Sequence, residues 1–564
     1  MIENIDNSNL FFKIFRNKYL KFEIFKHLRK YLKFLKLIKF NSVEQYKSFQ
    51  EKEYLSKVYY DFKGFESLGN SMEYLKLGDN FWIHNLFITN GINILQKFLP
   101  QSLTHLELSN SFSRYLNLNG CKFLPESITI LDIGDGFNRN INSNDIPSTL
   151  KSLIIGKNFK SSLNLKDCIN LEKLIFNEKS HFNNELTNSN EINNNNNKNK
   201  NIIEINELPC NLKFLEFGNL YSREINANLN LPKTLTQLTF GSNFNNSIKF
   251  ESLINLEYLK LGDGFDCEIN IGDLPINLKT LIFGIGYKKK LKIGSLPSSL
   301  IYLSMDGYTL DFEVGVLSSL VNLLTLELSS FKTLSIPTNQ NFKIGALPSS
   351  IQKFIFNEYF NTIYPFQSGS LPSSLTSLNL GFYNHTINEF LIPESLTSLI
   401  LPQNINNGKT LFPKLFSNLK NLKFLKISYK NDILPNVLPN SLTSLTIESL
   451  CKGDSFETLP FEIFPRSLLH LSIYQYKKNY YSIEFIKPGD LPPSLKSLTI
   501  VSNLLNYQFQ VDSIPQTLEK LDISNTQHKQ EFLETSFLKS IKQLLLPKNY
   551  SGKIYEVSLI NLFE

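Results

Sequence analysis

LPSSLTSLNLG, at residues 371–381, is the stretch that decides the fold, because variants of it recur about twenty times between residues 72 and 546. Close copies are LPKTLTQLTFG at 231–241, LPINLKTLIFG at 274–284 and LPPSLKSLTI at 491–500. Most successive copies start 20 to 28 residues apart. A repeat of that length cannot bury its apolar side chains alone, so it predicts a solenoid in which each turn packs on the next.

Each copy contains a short predicted strand. We call the leucine four places after the Leu of Leu-Pro the marker, and apolar residues recur at the marker, three places later and five places later, as in Leu235, Leu238 and Phe240. The last two side chains share one face of the strand, and Gly241 breaks the strand after them. Stacked copies therefore predict a parallel sheet with leucines in the core and a column of phenylalanines beside them.

Some copies lack the proline and have a second spelling, as in INLEKLIF at 169–176, INLEYLKLG at 254–262 and KNLKFLKI at 420–427. These resemble the x-N-L-x-x-L-x-L signature of leucine-rich repeats. The fuller unit LPKTLTQLTFGSNFNNSI, at 231–248, is similar to the FNIP repeat family, although Tyr287 and Tyr308 depart from its Phe-Asn part. The resemblance covers roughly residues 67–546. It implies a leucine-rich-repeat-like interaction scaffold, and some proteins of this family carry F-box-like N-termini.

These patterns predict an α/β-type repeat solenoid with one long parallel sheet of about twenty short strands and a small helical N-terminal region. We expect the N-terminal region to span 1–66 and the solenoid to span 67–564 as one elongated body. Residues 193–197 are five consecutive asparagines among further Asn and Lys. Such a low-complexity polar tract cannot bury itself, so we expect a disordered insert at about 183–203.

The sequence composition limits which cellular compartment and which classes of partner are expected. The N-terminus, MIENIDNSNL, lacks the basic start and apolar run of a secretory signal, and the five cysteines form an odd set without a C-x-x-C pair. We therefore expect an intracellular protein located in the cytoplasm, and a nuclear location is the alternative. The net charge is +7, but residues 11–40 alone hold ten Lys or Arg and one acid. The repeats lack a basic face, so no nucleic-acid partner is expected.

Residues 20–38 predict an amphipathic basic helix, because apolar side chains recur mostly at intervals of three or four residues and lysines occupy positions between them. Such a helix could cap the solenoid, dock on a partner, or lie on an anionic membrane, which is the least expected. The run also resembles the opening of an F-box, with Lys21 where that family has proline. The resemblance implies docking to the Skp-type adaptor of a cullin ubiquitin ligase, through Leu20, Glu23, Ile24, Phe25 and Leu28.

Side chains two and four places after each marker should point out of the sheet, between the buried ones. At the first of these positions stand Phe214, Tyr258 and Tyr302, in alternate turns, so a single row would space them roughly 10 Å apart. Exposed aromatic rings in a row are candidate anchors for a partner protein. The alternative is that these rings pack against neighbouring strands only.

Catalysis finds little support in the sequence. The seven histidines are scattered, and none stands at metal-ligand spacing with a Cys, Asp or Glu. Gly284-Ile285-Gly286 lacks the third glycine of a dinucleotide loop. We therefore expect no catalytic, cofactor or metal site, and predict a non-enzymatic scaffold that binds a protein of unknown identity through its exposed sheet. The alternatives are an F-box-like substrate receptor and a peripheral membrane-associated scaffold.

Overall fold

The structure is a computed structural model. It describes residues 37–52, 55, 57–60, 72–77, 99–113, 115–118, 121–122, 124–180, 208–225, 231–329, 341–357, 362–387, 390–402, 415–429, 436–449, 461–475, 486–502, 509, 512–526, 540–548 and 550. The chain divides into two compact units, Met1–Phe265 and Asp266–Glu564. Both units consist of the repeat that the sequence predicts.

The first unit is a ladder of short parallel strands. Its described strands, in chain order, are β1 (Ile38–Phe40), β2 (Lys57–Tyr60), β3 (Tyr74–Leu77), β4 (His105–Glu107), β5 (Asn117–Leu118), β6 (Cys121–Lys122), β7 (Ile130–Asp132), β8 (Ile141–Asn142), β9 (Ser152–Ile155), β10 (Leu163–Asn164), β11 (Lys173–Phe176), β12 (Phe214–Glu216), β13 (Gln237–Thr239) and β14 (Tyr258–Lys260). β1–β4, β7, β9 and β11–β14 pair in parallel, each with the next in that order. β8 and β10 form a parallel pair, and β5 and β6 an antiparallel one.

The second unit repeats the arrangement. Its described strands are β15 (Thr280–Phe283), β16 (Tyr302–Asp306), β17 (Thr325–Ser329), β18 (Lys353–Phe356), β19 (Ser377–Leu380), β20 (Ser398–Ile400), β21 (Phe424–Tyr429), β22 (Ser444–Ser449), β23 (His470–Gln475), β24 (Ser497–Ser502), β25 (Lys520–Asp522) and β26 (Gln543–Leu545). Each pairs in parallel with the next along the chain. The predicted parallel, leucine-rich-repeat-like solenoid is therefore confirmed.

Helix is scarce in the part of the chain that the structure describes. One α-helix, α1 (Val43–Ser48), lies between β1 and β2, and the hydroxyl of Ser42 caps it by accepting from the backbone N–H of Gln45 at 3.1 Å. Two 3-10 helices occupy Ser143–Asp145 and Phe461–Ile463. Turns, not helices, therefore make most of the described connections between strands.

The parallel ladder begins before residue 67, where the sequence places the start of the solenoid. β1 and β2 both lie within 1–66 and pair in the same register as the later strands. The predicted helix over 20–38 is wrong at its last residue, since Ile38 begins β1. Pairing with β2 satisfies the backbone groups of this short segment, and a helical pattern in side chains cannot reveal that partner.

The core follows the predicted offsets. In the turn that carries β13, Leu235, Leu238 and Phe240 are at most 1% exposed. Aromatic rings from successive turns stack beside the leucines. Phe244, for example, lies 6.3 Å from Tyr221 and 6.2 Å from Phe265, measured between ring centroids. The predicted column of rings is therefore present, and each ring is buried against the turn before and the turn after it.

The two tyrosines that depart from the sequence pattern lie in the same column of the second unit. Tyr287 and Tyr308 are each 1% exposed, and their ring centroids are 6.0 Å apart. Tyrosine can replace phenylalanine here because the ring supplies most of the buried apolar area.

Polar side chains just before the marker join each turn to the preceding one. Ser374 donates its hydroxyl to the carbonyl of Ile351 at 2.7 Å, which is the marker of the preceding turn. In the second spelling, Asn255 donates its amide to the carbonyl of Lys233 at 2.9 Å, two residues before the marker Leu235. The longer amide side chain reaches one carbonyl and the shorter hydroxyl another. Both spellings therefore satisfy a backbone acceptor between turns, which explains why they are interchangeable.

Candidate functional site

The exposed face of each parallel ladder is the candidate functional surface. Along β9, Leu153 and Ile155 are buried, while Ser152 and Ile154 point the other way and are only partly covered. The same alternation holds in β11 and, in the second unit, in β19 and β24. Because the strands are in register, the residues two and four places after each marker form two continuous rows.

In the first unit, three isoleucines lie in the middle of this face. Ile130, Ile154 and Ile175, on β7, β9 and β11, are each half-buried. Ile154 stands opposite Ile175 in the register of β9 and β11. The neighbouring strand adds Phe214, and the Lys173 ammonium lies 4.5 Å from the centre of its ring. We call these side chains the apolar centre, although Ser152 and Asp132 stand opposite Ile130 and Ile154 in the register. A cation lies over its aromatic edge.

One flank of the face is a polar cluster on β3 and β4. The Glu107 carboxylate accepts from the Tyr74 hydroxyl and lies 2.6 Å from the Lys76 ammonium. The rings of Tyr74 and His105 meet edge to face, with centroids 4.5 Å apart. Asp132, opposite Glu107 in the register, accepts from the backbone N–H of Gly134 at 2.9 Å.

Burial and these contacts set the charges of the cluster. Burial alone would raise the pKa of Glu107, but the bonds from Lys76 and Tyr74 hold it below its ordinary value. Burial lowers the pKa of His105 despite the Glu107 carboxylate nearby, whereas burial raises the pKa of Asp132. At pH 7 Glu107 is thus ionised and His105 neutral. The 3.7 Å approach of His105 Nε2 to Glu107 is accordingly not an ion pair at that pH.

The other flank holds two of the predicted aromatic anchors. Phe214 and Tyr258 stand on either side of Gln237 in the register of β12, β13 and β14. Both rings are half-buried, and burial followed by the Glu216 carboxylate raises the pKa of Tyr258. The first unit therefore carries two of the three predicted rings on one face.

Tyr302, the third predicted anchor, lies in the second unit on β16. Its hydroxyl donates to Glu327 of β17 at 2.5 Å. Burial, and then this hydrogen bond, raise the pKa of Tyr302 to about 12. A cross-strand contact of this kind is what the packing alternative predicts.

Farther along the second unit, the face is lined mainly by small polar side chains. Ser377, Ser398, Ser444 and Ser497 occupy the row, with Phe424 and His470 among them. The exposed row therefore continues along the second unit. Small hydroxyl side chains offer little apolar area, so the first unit has the stronger candidate surface.

Three predictions concern residues that the structure does not describe. The adaptor-docking candidates Leu20, Glu23, Ile24, Phe25 and Leu28 lie outside the described residues, as do the Asn-rich insert at 183–203 and most of the predicted basic helix. Adaptor docking, capping and membrane attachment by this region stay predictions.

Within the described ranges, no group of three or more His, Cys, Asp or Glu side chains is placed to hold a metal ion. Likewise, the described helices include none that is long and apolar enough to span a membrane.

Sequence reasoning missed the part that Glu107 plays at the centre of the polar cluster, and it missed the apolar centre. The repeat offsets place Glu107, Ile154 and Ile175 in the second exposed row, since each stands four places after its marker. Which of these side chains meet depends on strand pairing.

Comparison with known proteins supports the repeat. The FNIP repeat family matches six segments, at residues 117–158, 199–243, 244–285, 265–308, 339–383 and 484–526, so the chain contains FNIP repeats. An FNIP repeat-containing protein of Dictyostelium discoideum is 30% identical over 274 residues, which is 47% of this chain. The match covers 63% of that relative's length.

Two solved structures are similar to this chain. One is CroV588, described as a novel circular LRR protein, with a TM-score of 0.60, 26% identity and coverage of 89% of this chain and 71% of that one. The other is the mouse RP105/MD-1 complex, with a TM-score of 0.48, 16% identity and coverage of 90% and 81%. The likeness to CroV588 agrees with the leucine-rich-repeat-like architecture seen here.

Proposed function

We propose that this chain is a non-enzymatic scaffold of the FNIP repeat group that binds a partner protein through the exposed sheet face of its first unit. The observation that carries the proposal is the composition of that face. It has an apolar centre at Ile130, Ile154 and Ile175, with aromatic and charged side chains on both flanks. Protein interfaces have the same anatomy, an apolar core inside a polar rim.

The dimensions of the face suit a protein ligand. The eight paired strands from β3 to β14 span about 34 Å at a strand spacing of about 4.8 Å. A partner that covers this face together with the turns beside it can reach the roughly 800 Å² that a standard interface buries on each side. The strands fix the backbone, so little conformational freedom is lost when a partner binds.

The flanks indicate where affinity would concentrate. Phe214 and Tyr258 offer rings whose remaining exposed area a partner can cover, and aromatic side chains often dominate binding free energy. On the opposite flank Glu107 already has Tyr74 and Lys76 as partners, so it presents a preorganised polar surface. We expect the polar flank to set orientation and the apolar centre to supply most of the affinity.

The test is capture of partners through the face itself. A photo-crosslinking amino acid at position 154 should capture partner proteins from an extract of the native cell. The Ile154→Glu/Ile175→Glu variant should lose the same partners by at least tenfold, because two charges would be buried in the interface. Ile169→Glu is the matched control, since Ile169 is 59% exposed on a turn of the same unit.

An unchanged partner set in Ile154→Glu/Ile175→Glu would refute the proposal, provided circular dichroism shows the variant folded. Phe214→Ala/Tyr258→Ala separates the two explanations of the rings. Loss of partners supports anchoring, whereas unchanged binding with lower stability supports cross-strand packing only.

As part of the same proposal, the scaffold works inside the cell, as the odd number of cysteines favours.

A further inference from the structure

Four aliphatic side chains form an exposed row on corner turns of the second unit, away from its sheet face. Ile271, Ile293, Val314 and Ile344 are 71%, 54%, 56% and 64% exposed. Each immediately precedes a glycine with positive φ, between +79° and +106°, which turns the chain back toward the next strand. We call these four residues the aliphatic ridge.

The ridge is continuous because its turns precede strands β15, β16, β17 and β18, which pair in that order. A Cβ atom placed on Gly294 would lie 3.8 Å from Ile271 Cδ1, and one on Gly315 would lie 3.0 Å from Ile293 Cδ1. The side chains of Ile271 and Ile293 therefore lean over the glycine of the next turn. From Ile271 to Val314 the ridge is therefore closely spaced, unlike scattered exposed aliphatic residues. Ile344 extends the row on the next turn, where a Cβ atom on Gly345 would meet nothing within 4 Å.

Polar side chains flank the ridge in a definite order. The residues that precede the four ridge positions are Asn270, Lys292, Glu313 and Lys343, all exposed. Glu313 lies 2.6 Å from the Lys290 ammonium, and Lys292 lies 3.7 Å from Glu268. These pairs are exposed at both ends, so each contributes little and can rearrange when another charge approaches.

We propose that the aliphatic ridge docks against the ridge of a second copy of this chain, antiparallel and about a two-fold axis. An axis midway between Ile293 and Val314 pairs all four ridge residues, with Ile293 facing the second copy's Val314 and Ile271 facing its Ile344. Because a two-fold axis repeats every contact, each pairing occurs twice.

The same register makes the flanking charges complementary. Lys292 then faces the second copy's Glu313, and Glu313 faces its Lys292. A shift that moves the axis to Ile293 would set Lys292 against Lys292, and a shift to Val314 would set Glu313 against Glu313. Charge and apolar pairing thus select one register, and this self-complementarity is the reason to expect a second copy and not another protein.

The dimer should be weak. Four ridge residues and four flanking ones are fewer than the roughly 20–30 residues that each side of a standard interface contributes. We therefore expect a dissociation constant on the order of 10–100 μM.

Sedimentation velocity of the full chain, from about 5 to 300 μM, tests the inference, with the range set by that expected affinity. The wild type should show a reversible monomer–dimer equilibrium. Ile293→Ser/Val314→Ser should weaken it at least tenfold, because it removes the central apolar pair. Ile276→Ser/Val321→Ser is the control, since these side chains are 71% and 65% exposed but off the ridge. That variant should dimerise like the wild type.

Charge reversal tests the register. Lys292→Glu alone and Glu313→Lys alone should each dimerise at least tenfold more weakly, because like charges then face each other twice. A mixture of the two variants should form heterodimers with near wild-type affinity, because opposite charges face each other again. A wild type that is monomeric up to 300 μM, an unaffected Ile293→Ser/Val314→Ser variant, or a mixture without heterodimers would overturn the proposal. None of these variants alters the sheet face of the first unit, so the outcome is separate from that of the proposed function.

Discussion

Single residues set how closely neighbouring turns approach. Gly381 follows β19 with a φ of +50°, and a Cβ atom there would lie 1.9 Å from the carbonyl oxygen of Asn357 in the preceding turn. Gly369 also has a positive φ, +84°, but a Cβ atom there meets nothing within 4 Å. Backbone conformation alone therefore favours glycine at position 369, whereas backbone conformation and the close approach of the preceding turn both favour it at position 381.

We expect Gly381→Ala to destabilise the second unit more than Gly369→Ala does. Both substitutions place alanine in the left-handed region, at about 1–2 kcal/mol, but only the first must also push two turns apart. Urea unfolding followed by circular dichroism should show a clearly lower midpoint for Gly381→Ala. Equal midpoints would mean that the turns separate at little cost.

His105 should make the stability of the first unit depend on pH. Burial lowers its pKa in the folded state below the ordinary 6.5, so the unfolded chain binds the proton first as the pH falls. The free energy of unfolding should therefore decrease from about pH 7.5 downward through 6.5. The Glu107 carboxylate stays ionised over this range and favours protonated His105, so it offsets part of the lowering of the His105 pKa.

The check is the unfolding free energy from urea titrations at pH 7.5 and 5.5, compared between the wild type and His105→Gln. The variant cannot titrate at this position, so its decrease between the two pH values should be smaller. An identical decrease in both proteins would show that other groups cause it.

The aromatic column is the element that holds successive turns together. In the second unit Phe356 is fully buried, and its ring centroid lies 5.9 Å from that of Phe366 and 6.3 Å from that of Phe342. Farther along, the backbone N–H of Phe366 donates to the hydroxyl of Tyr383 at 2.9 Å. A tyrosine hydroxyl in the column can thus accept from a backbone donor, while the ring itself supplies the stacked apolar area.

Phe356→Ala should cost about 3–5 kcal/mol of unfolding free energy, because the neighbouring rings cannot collapse into the cavity. Phe382→Ala is the matched control. That ring is 39% exposed, and we expect a loss of roughly 1 kcal/mol. Urea titrations of both variants measure the difference. Similar losses of unfolding free energy would show that a ring in the column contributes no more than an exposed ring.

At the scale of the molecule, strand pairing joins each described turn to the turns before and after it within a unit. The strands of the second unit pair strictly in chain order, from β15 to β26. The free energy of unfolding of such a linear arrangement is approximately a sum of contributions from neighbouring turns. The effect of a local mutation should therefore extend over few turns.

Hydrogen exchange should reveal this locality. In Phe356→Ala we expect faster exchange in β17, β18 and β19, because these strands pack directly around the cavity. The amides of β24 and β25 should exchange nearly as in the wild type. Mass spectrometry of peptides from both regions supplies the measurement, and a uniform loss of protection across the second unit would contradict neighbour-only coupling.

Some surface features can be predicted from the sequence, and others depend on which strands pair. The alternation that buries Leu238 and leaves Gln237 exposed follows directly from the two-residue period of a strand. The cluster around Glu107 requires knowledge of which strands pair, because Tyr74 and Glu107 are 33 residues apart in the chain. For the same reason the row of three rings divides between the two units, with Tyr302 in the second.

By itself, the sequence determined the parallel solenoid, its buried offsets and the column of rings, because all three follow from a repeat that every turn carries within its own residues. Only the tertiary structure decided that β1 and β2 already belong to the ladder, that Ile154 and Ile175 form an apolar centre, and that Ile271 and Ile293 lie on a ridge. The reason is physical. A strand pattern fixes which way a side chain points, whereas the neighbours it meets depend on pairing between turns.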